Sequence, residues 1–84
     1  MRRNTSHLVG LDTSVVLRLL TGEPEDQAVK AENLLNALSE EETQAAVSDL
    51  VIAETYFALQ YHYEIPKAEA LSTLRQFTQS DEIV

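Results

Sequence analysis

The sequence predicts an α/β fold built on a parallel sheet. Short apolar runs at 7–11 and 44–47 are each followed by helical patterns, and a further apolar stretch opens within 80–84. Two helical stretches separate successive runs, far more chain than a hairpin uses. Strands joined by helical crossovers run parallel, and the crossover is nearly always right-handed. The predicted order is β-α-α-β-α-α-(β).

The first run, "HLVGL", is apolar and ends in a change of period, which marks a buried strand. Val15, Val16, Leu17, Leu19 and Leu20 then crowd into a short helix, with Ser14 as its expected N-cap and Gly22 as its stop. A second helix starts at Pro24. Glu25 and Asp26 suit its positive end, and Ala28, Ala31, Leu35 and Leu38 share one buried face with Leu34 beside them. The acidic stretch at 39–43 ends it as a solvated loop. After the strand at 44–47, Ser48 caps a third helix that runs to about Tyr63. Pro66 opens a fourth, whose inner face is Ala70 or Leu71 with Leu74 and Phe77.

At 84 residues the chain is sized for one small domain, 1–84. Two strands and the start of a third make a poor parallel sheet, so the sequence reads as the first part of a larger domain. The formal net charge is −8, and Arg2, Arg3, Arg18, Lys30, Lys67 and Arg75 form no basic stripe. Simple electrostatic attachment to nucleic acid or to an anionic membrane is therefore disfavoured. There is no Cys, which excludes a disulfide framework and a thiolate metal site and makes a reducing cytoplasm the default compartment. No signal peptide precedes Asp12, and no apolar run approaches membrane-spanning length.

Two acids stand out. Asp12 falls at the carboxyl end of the first strand, where open α/β sheets bind their ligands. It admits two readings, a helix N-cap or a ligand. Glu54 lies on a helical wheel within roughly 60° of Leu50, Val51, Phe57, Ala58 and Tyr61, at about 100° per residue. That places it in the middle of an apolar stripe, where it snorkels to water, makes a buried hydrogen bond or forms part of a site. Both acids follow strands expected to be parallel neighbours, so both reach one edge of the sheet. Glu54 is six residues past Ser48, about 9 Å of helix rise, so its helix must lean toward Asp12. Brought together without a cation, like charges raise one of the two pKa values; a hard divalent cation such as Mg²⁺ or Mn²⁺ removes the conflict.

Other candidates are weaker. His7 and His62 are not in ligand spacing. Phe57 and Tyr61, four residues apart, are expected in the core rather than as a surface for stacking bases. No phosphate loop, dinucleotide fingerprint or nucleophile elbow is present. "LDTS" echoes the Asp-Thr-Gly of aspartic proteases, but Ser14 replaces the turn glycine and helices dominate. A haloacid-dehalogenase-type phosphatase would place a second Asp where Ser14 stands.

An apolar strand ending in "LDTS", a short apolar helix ending near "TGEP", and "VSDLVIAETYFAL" with a glutamate in an apolar helix resemble the opening of a PIN domain. Their order resembles the VapC-type toxins of bacterial toxin–antitoxin systems. The resemblance runs from His7 to Val84. It implies a three-layer α/β/α sandwich, Mg²⁺- or Mn²⁺-dependent cleavage of RNA, and an antitoxin protein as partner. It carries Asp12 over as the first catalytic and metal-binding acid, Glu54 as the second, and Ser14 as a polar neighbour that orients Asp12. The family's later acids follow the third strand, and Asp81, which precedes it, does not replace them. The expectation is a weak or inactive endoribonuclease. The alternative is a non-catalytic interaction module that binds an antitoxin-like partner or itself. An unpaired edge and uncovered helix faces predict a homo-oligomer, most simply a two-fold dimer, with Leu71, Leu74 and Phe77 or the edge at 82–84 near the contact.

Overall fold

The computed structural model of the chain describes residues 8–80 and Ile83. The elements follow the expected order: β1 (Leu8–Gly10), α1 (Thr13–Thr21), α2 (Glu25–Glu40), β2 (Gln44–Ala46), α3 (Asp49–Tyr61) and α4 (Lys67–Thr78). β1 and β2 are parallel, with Leu8 opposite Gln44, Val9 opposite Ala45 and Gly10 opposite Ala46. The Leu11 N–H extends the ladder by one bond, to the Ala46 carbonyl at 2.9 Å. Ala45 also makes an isolated parallel bridge to Ile83, outside the two named strands. The fold is α/β with a parallel sheet, as predicted.

Helix ends follow local chemistry. Gly22 closes α1 in the left-handed region, at φ 72°, and its N–H reaches the Arg18 carbonyl at 2.9 Å. Glycine takes this conformation without a Cβ penalty. Pro24 and Pro66 sit just before the first helical residues of α2 and α4, where the fixed φ of proline suits the entry. Ser48 caps α3, its Oγ accepting the Val51 N–H at 3.2 Å. α3 ends at Tyr61, two residues short of the expected end.

Two apolar clusters meet at α1. Leu11, Val16, Leu38, Ala45 and Ile83 form the first, under the sheet and α2. Leu59, Ala70 and Leu74 form the second, between α3 and α4. Leu20 packs against both, so α1 is the wedge that joins them. In α2, Ala28, Ala31 and Leu38 are buried and Leu35 is half-buried, which is the predicted face.

Three expectations are corrected. β1 is exposed along its length, because β2 is its one strand partner among the described residues; the buried apolar residue is Leu11, just beyond it. Leu74 and Ile83, expected near a contact with another copy, are buried within this chain, and among the described residues of that group Leu71 is exposed and Phe77 half-buried. The buried face of α3 is not the stripe around Glu54. Thr55 and Leu59 are buried, whereas Leu50, Phe57 and Tyr61 are 68%, 53% and 73% exposed.

Candidate active site

The loop after β1 delivers Asp12 in an extended conformation directly before α1. Asp12, not Ser14, is the N-cap. Its Oδ1 accepts the Val15 N–H at 3.0 Å, satisfying one of the helix's unpaired first-turn donors. The Ser14 hydroxyl donates to the same oxygen at 2.9 Å. Ser14 is therefore a hydrogen-bond donor to the capping carboxylate rather than the cap itself. The Val15 N–H and then the Ser14 hydroxyl hold the Asp12 carboxyl below the usual carboxylate range. Slight desolvation opposes them, and Arg18 and the Ser14 N–H add to the lowering. Donors aimed at the ionised form govern this carboxyl, and no second acid is among the groups that shift it.

Glu54 projects from the second turn of α3 and is exposed. The reading of a buried hydrogen-bonded carboxylate is corrected: the side chain is exposed, and α1 supplies its partner. The Thr13 hydroxyl donates to Glu54 Oε1 at 2.8 Å, across 41 positions of sequence. α1 and α3 pack against one another, which supplies the lean that the rise along α3 requires. Consecutive hydroxyls of the first turn of α1 thus serve two different acids, Thr13 on Glu54 and Ser14 on Asp12. Thr13 was missed from the sequence. The available signal was the helical turn itself: neighbouring residues diverge by about 100°, so Ser14 cannot serve both acids.

Among the described residues each carboxylate is tied through a single oxygen. No group of three or more His, Asp or Glu side chains gathers in metal-binding geometry among the described residues. The donor set is hard oxygen, the type Mg²⁺ and Mn²⁺ prefer, and Mg²⁺ is commonly held by one or two carboxylates with waters and substrate phosphates. The residues present fit a cation of that kind.

Next to the acids lies an aromatic surface. Phe57 and Tyr61 stack with centroids 6.2 Å apart and planes 20° from parallel, and Tyr56 meets Phe57 edge-on at 5.5 Å. Phe57 and Tyr61 were expected in the core and are instead exposed, because α3 turns its Thr55–Leu59 side inward. His62 is exposed at the end of α3, and His7 lies outside the described residues. A cleft of about 520 Å³ opens between α3 and α4, lined by Ile52, Tyr56, Leu71 and Leu74 among others, and neither acid lines it. Asp12 is exposed just beyond the carboxyl end of β1, and Glu54 lines a shallow recess of about 290 Å³ with Phe57, Ala58, Tyr61 and His62.

Residues 9–84 match the family model for the PIN domain. The chain belongs to the PIN-domain family. No curated protein and no solved structure matches it. The PIN domain is a nuclease-like fold often found in toxin–antitoxin systems. Its members generally use divalent metals, generally bind RNA and often form complexes. Among the described residues of this PIN chain, no helix is long and apolar enough to cross a membrane.

Proposed function

We propose that this PIN-domain chain is a Mg²⁺- or Mn²⁺-dependent endoribonuclease of the VapC toxin type, working in the cytoplasm and restrained by an antitoxin protein. The observation that carries this reading is the pair of hydroxyl–carboxylate bonds at the start of α1. They tie carboxylates from two separate elements to consecutive residues of one helical turn, just beyond the carboxyl end of β1. Asp12 and Glu54 would hold the cation, with Ser14 fixing the rotamer of Asp12. A bound divalent cation supplies activation of water and neutralises charge developing on the phosphoryl oxygens. The donors to Asp12 favour its ionised form, which is the form that binds a cation. Two carboxylates leave most coordination positions to water and substrate, so cation binding is weak and cleavage slow.

Calorimetric titration with Mn²⁺ and gel assays on a structured RNA test the reading. The expected result is Mn²⁺ binding by the wild type, weakened in both Asp12→Asn and Glu54→Gln, with slow cleavage lost in the same variants. Equal Mn²⁺ binding by all three proteins would defeat it.

A second reading, an interaction module that binds an antitoxin-like protein or its own copy, is favoured by the exposed Leu50, Phe57 and Tyr61 on α3. Apolar residues in such a row are usually covered. A two-fold dimer is its simplest form. Sedimentation at micromolar concentration separates the two: a dimer disrupted by Phe57→Ala, in a chain that neither binds Mn²⁺ nor cleaves RNA, would favour the module.

A further inference from the structure

Glu54 is an exposed glutamate with three rotatable side-chain bonds, and Thr13 is its one hydrogen-bond partner among the described residues. We infer that Thr13 is the positioning residue for Glu54: its hydroxyl selects one carboxylate conformation, held at the first turn of α1, and leaves the second oxygen free for a cation. This inference rests on the endoribonuclease reading of the same acids.

Thr13 is suited to the task by its own placement. It is the first residue of α1 and half-buried, so its backbone is fixed by the helix and by the Asp12 cap beside it. Its branched Cβ restricts χ1, which aims the hydroxyl with little freedom. The hydroxyl proton is committed to Glu54 Oε1 at 2.8 Å, just as that of Ser14 is committed to Asp12 Oδ1 at 2.9 Å. One turn of helix therefore carries an orienting donor for each acid. Without Thr13, nothing among the described residues ties Glu54 to the first turn of α1, and its carboxylate would sample rotamers pointing away from that turn. Hydrogen bonds of this kind to a ligand carboxylate typically change metal affinity by about 10- to 100-fold.

A purely structural role would look different. There the bond would tie α1 to α3, and its loss would lower stability without touching the cation. Thr13→Val separates the cases, because it keeps the branched shape and removes the donor. Thr13→Ser restores the donor, and Thr13→Ala serves if the valine variant does not fold. Each is titrated with Mn²⁺ by calorimetry and unfolded in urea without metal, alongside Glu54→Gln and Thr13→Val/Glu54→Gln.

The expected result is about a tenfold loss of Mn²⁺ affinity in Thr13→Val, recovered in Thr13→Ser. Adding Thr13→Val to Glu54→Gln should weaken binding no further, since Thr13 acts through that carboxylate. Unchanged affinity in Thr13→Val with a lowered urea midpoint would overturn the positioning role and leave the metal-site reading standing. A further loss on the Glu54→Gln background would make Thr13 a ligand in its own right and overturn it equally. Absence of Mn²⁺ binding by the wild type would overturn the site reading and this inference together.

Discussion

Glu54 and Thr55 are neighbours in α3 and opposites in setting. Glu54 carries a charge, lies on the exposed side and has the Thr13 hydroxyl as partner. Thr55 is neutral and fully buried, and its hydroxyl has no hydrogen-bond partner among the described residues. The inward side of α3 packs Leu59 against Ala70 and Leu74, while the outward side leaves Leu50, Phe57 and Tyr61 in water. Both sides are apolar in sequence. A helix apolar all round has no amphipathic direction, so its neighbours, not its own pattern, decide which side is buried. α1 and α4 make that choice here, and it turns the acid toward solvent and toward the first turn of α1.

The comparison breaks most visibly at its two large apolar residues. Leu59→Ala should lower stability by about 2–5 kcal/mol, because Leu59 is fully enclosed and its neighbours collapse only partly into the space. Phe57→Ala, a larger truncation on the outer side, should change the unfolding free energy by no more than about 0.5 kcal/mol. Urea denaturation of dilute protein measures both. A similar loss in the two variants would mean that the outer side of α3 is covered after all.

Thr55 gives the next largest effect, with the opposite sign. A buried hydroxyl without a partner has lost its water and gained nothing in exchange. Thr55→Val keeps the shape, removes the orphan and should raise stability by about 1–2 kcal/mol in the same assay. A destabilised valine variant would show that the hydroxyl is satisfied and that the two sides of α3 differ less than they look.

Much of this was legible beforehand. The element order, the parallel pairing of 44–47 with the first strand, the Gly22 stop, the Ser48 cap and the inner face of α2 rest on local chemistry or on a clear period, and each is found. The orientation of α3 was not legible, since Leu50, Phe57 and Tyr61 are as hydrophobic as Val51, Ile52 and Leu59. Nor was the burial of β1, which depends on what lies beside Leu8 and Val9 rather than on their type. At the candidate site the acids and Ser14 could be named from position and resemblance. The bond from Thr13 to Glu54 could not, because it depends on how α1 and α3 cross.

Asp12 extends the comparison to a second tied acid, with a smaller expected effect. Asp12→Ala removes the acceptor for the Val15 N–H and should cost about 1 kcal/mol, whereas Asp12→Asn keeps an acceptor and should stay within a few tenths. Thermal or urea unfolding in a chelator isolates this from metal binding. A loss in the asparagine variant as large as in alanine would mean that the charge, not the cap, is what α1 requires.

The smallest effect is the most discriminating about that charge. The Val15 N–H and the Ser14 hydroxyl donate to the ionised Asp12 carboxylate and place its pKa below the usual value. A carboxyl with a depressed folded pKa is protonated less readily folded than unfolded. Its contribution is complete above the unfolded value of about 3.9 and is lost as pH falls through the lower folded value, because there the unfolded chain binds more protons. Asp12→Asn keeps the cap and cannot titrate. The stability difference between wild type and this variant should therefore be constant above about pH 5 and move against the wild type as pH falls further. Asp12 is exposed, so the change is small and low salt is needed to resolve the share due to Arg18. Urea midpoints across that range, with chelator present, supply the measurement. A flat difference would mean that the cap bonds do not favour the ionised form. A difference moving toward the wild type in acid would mean that Asp12 is relieved by protonation. The like charge of Glu54, rather than the donors of α1, would then govern the site.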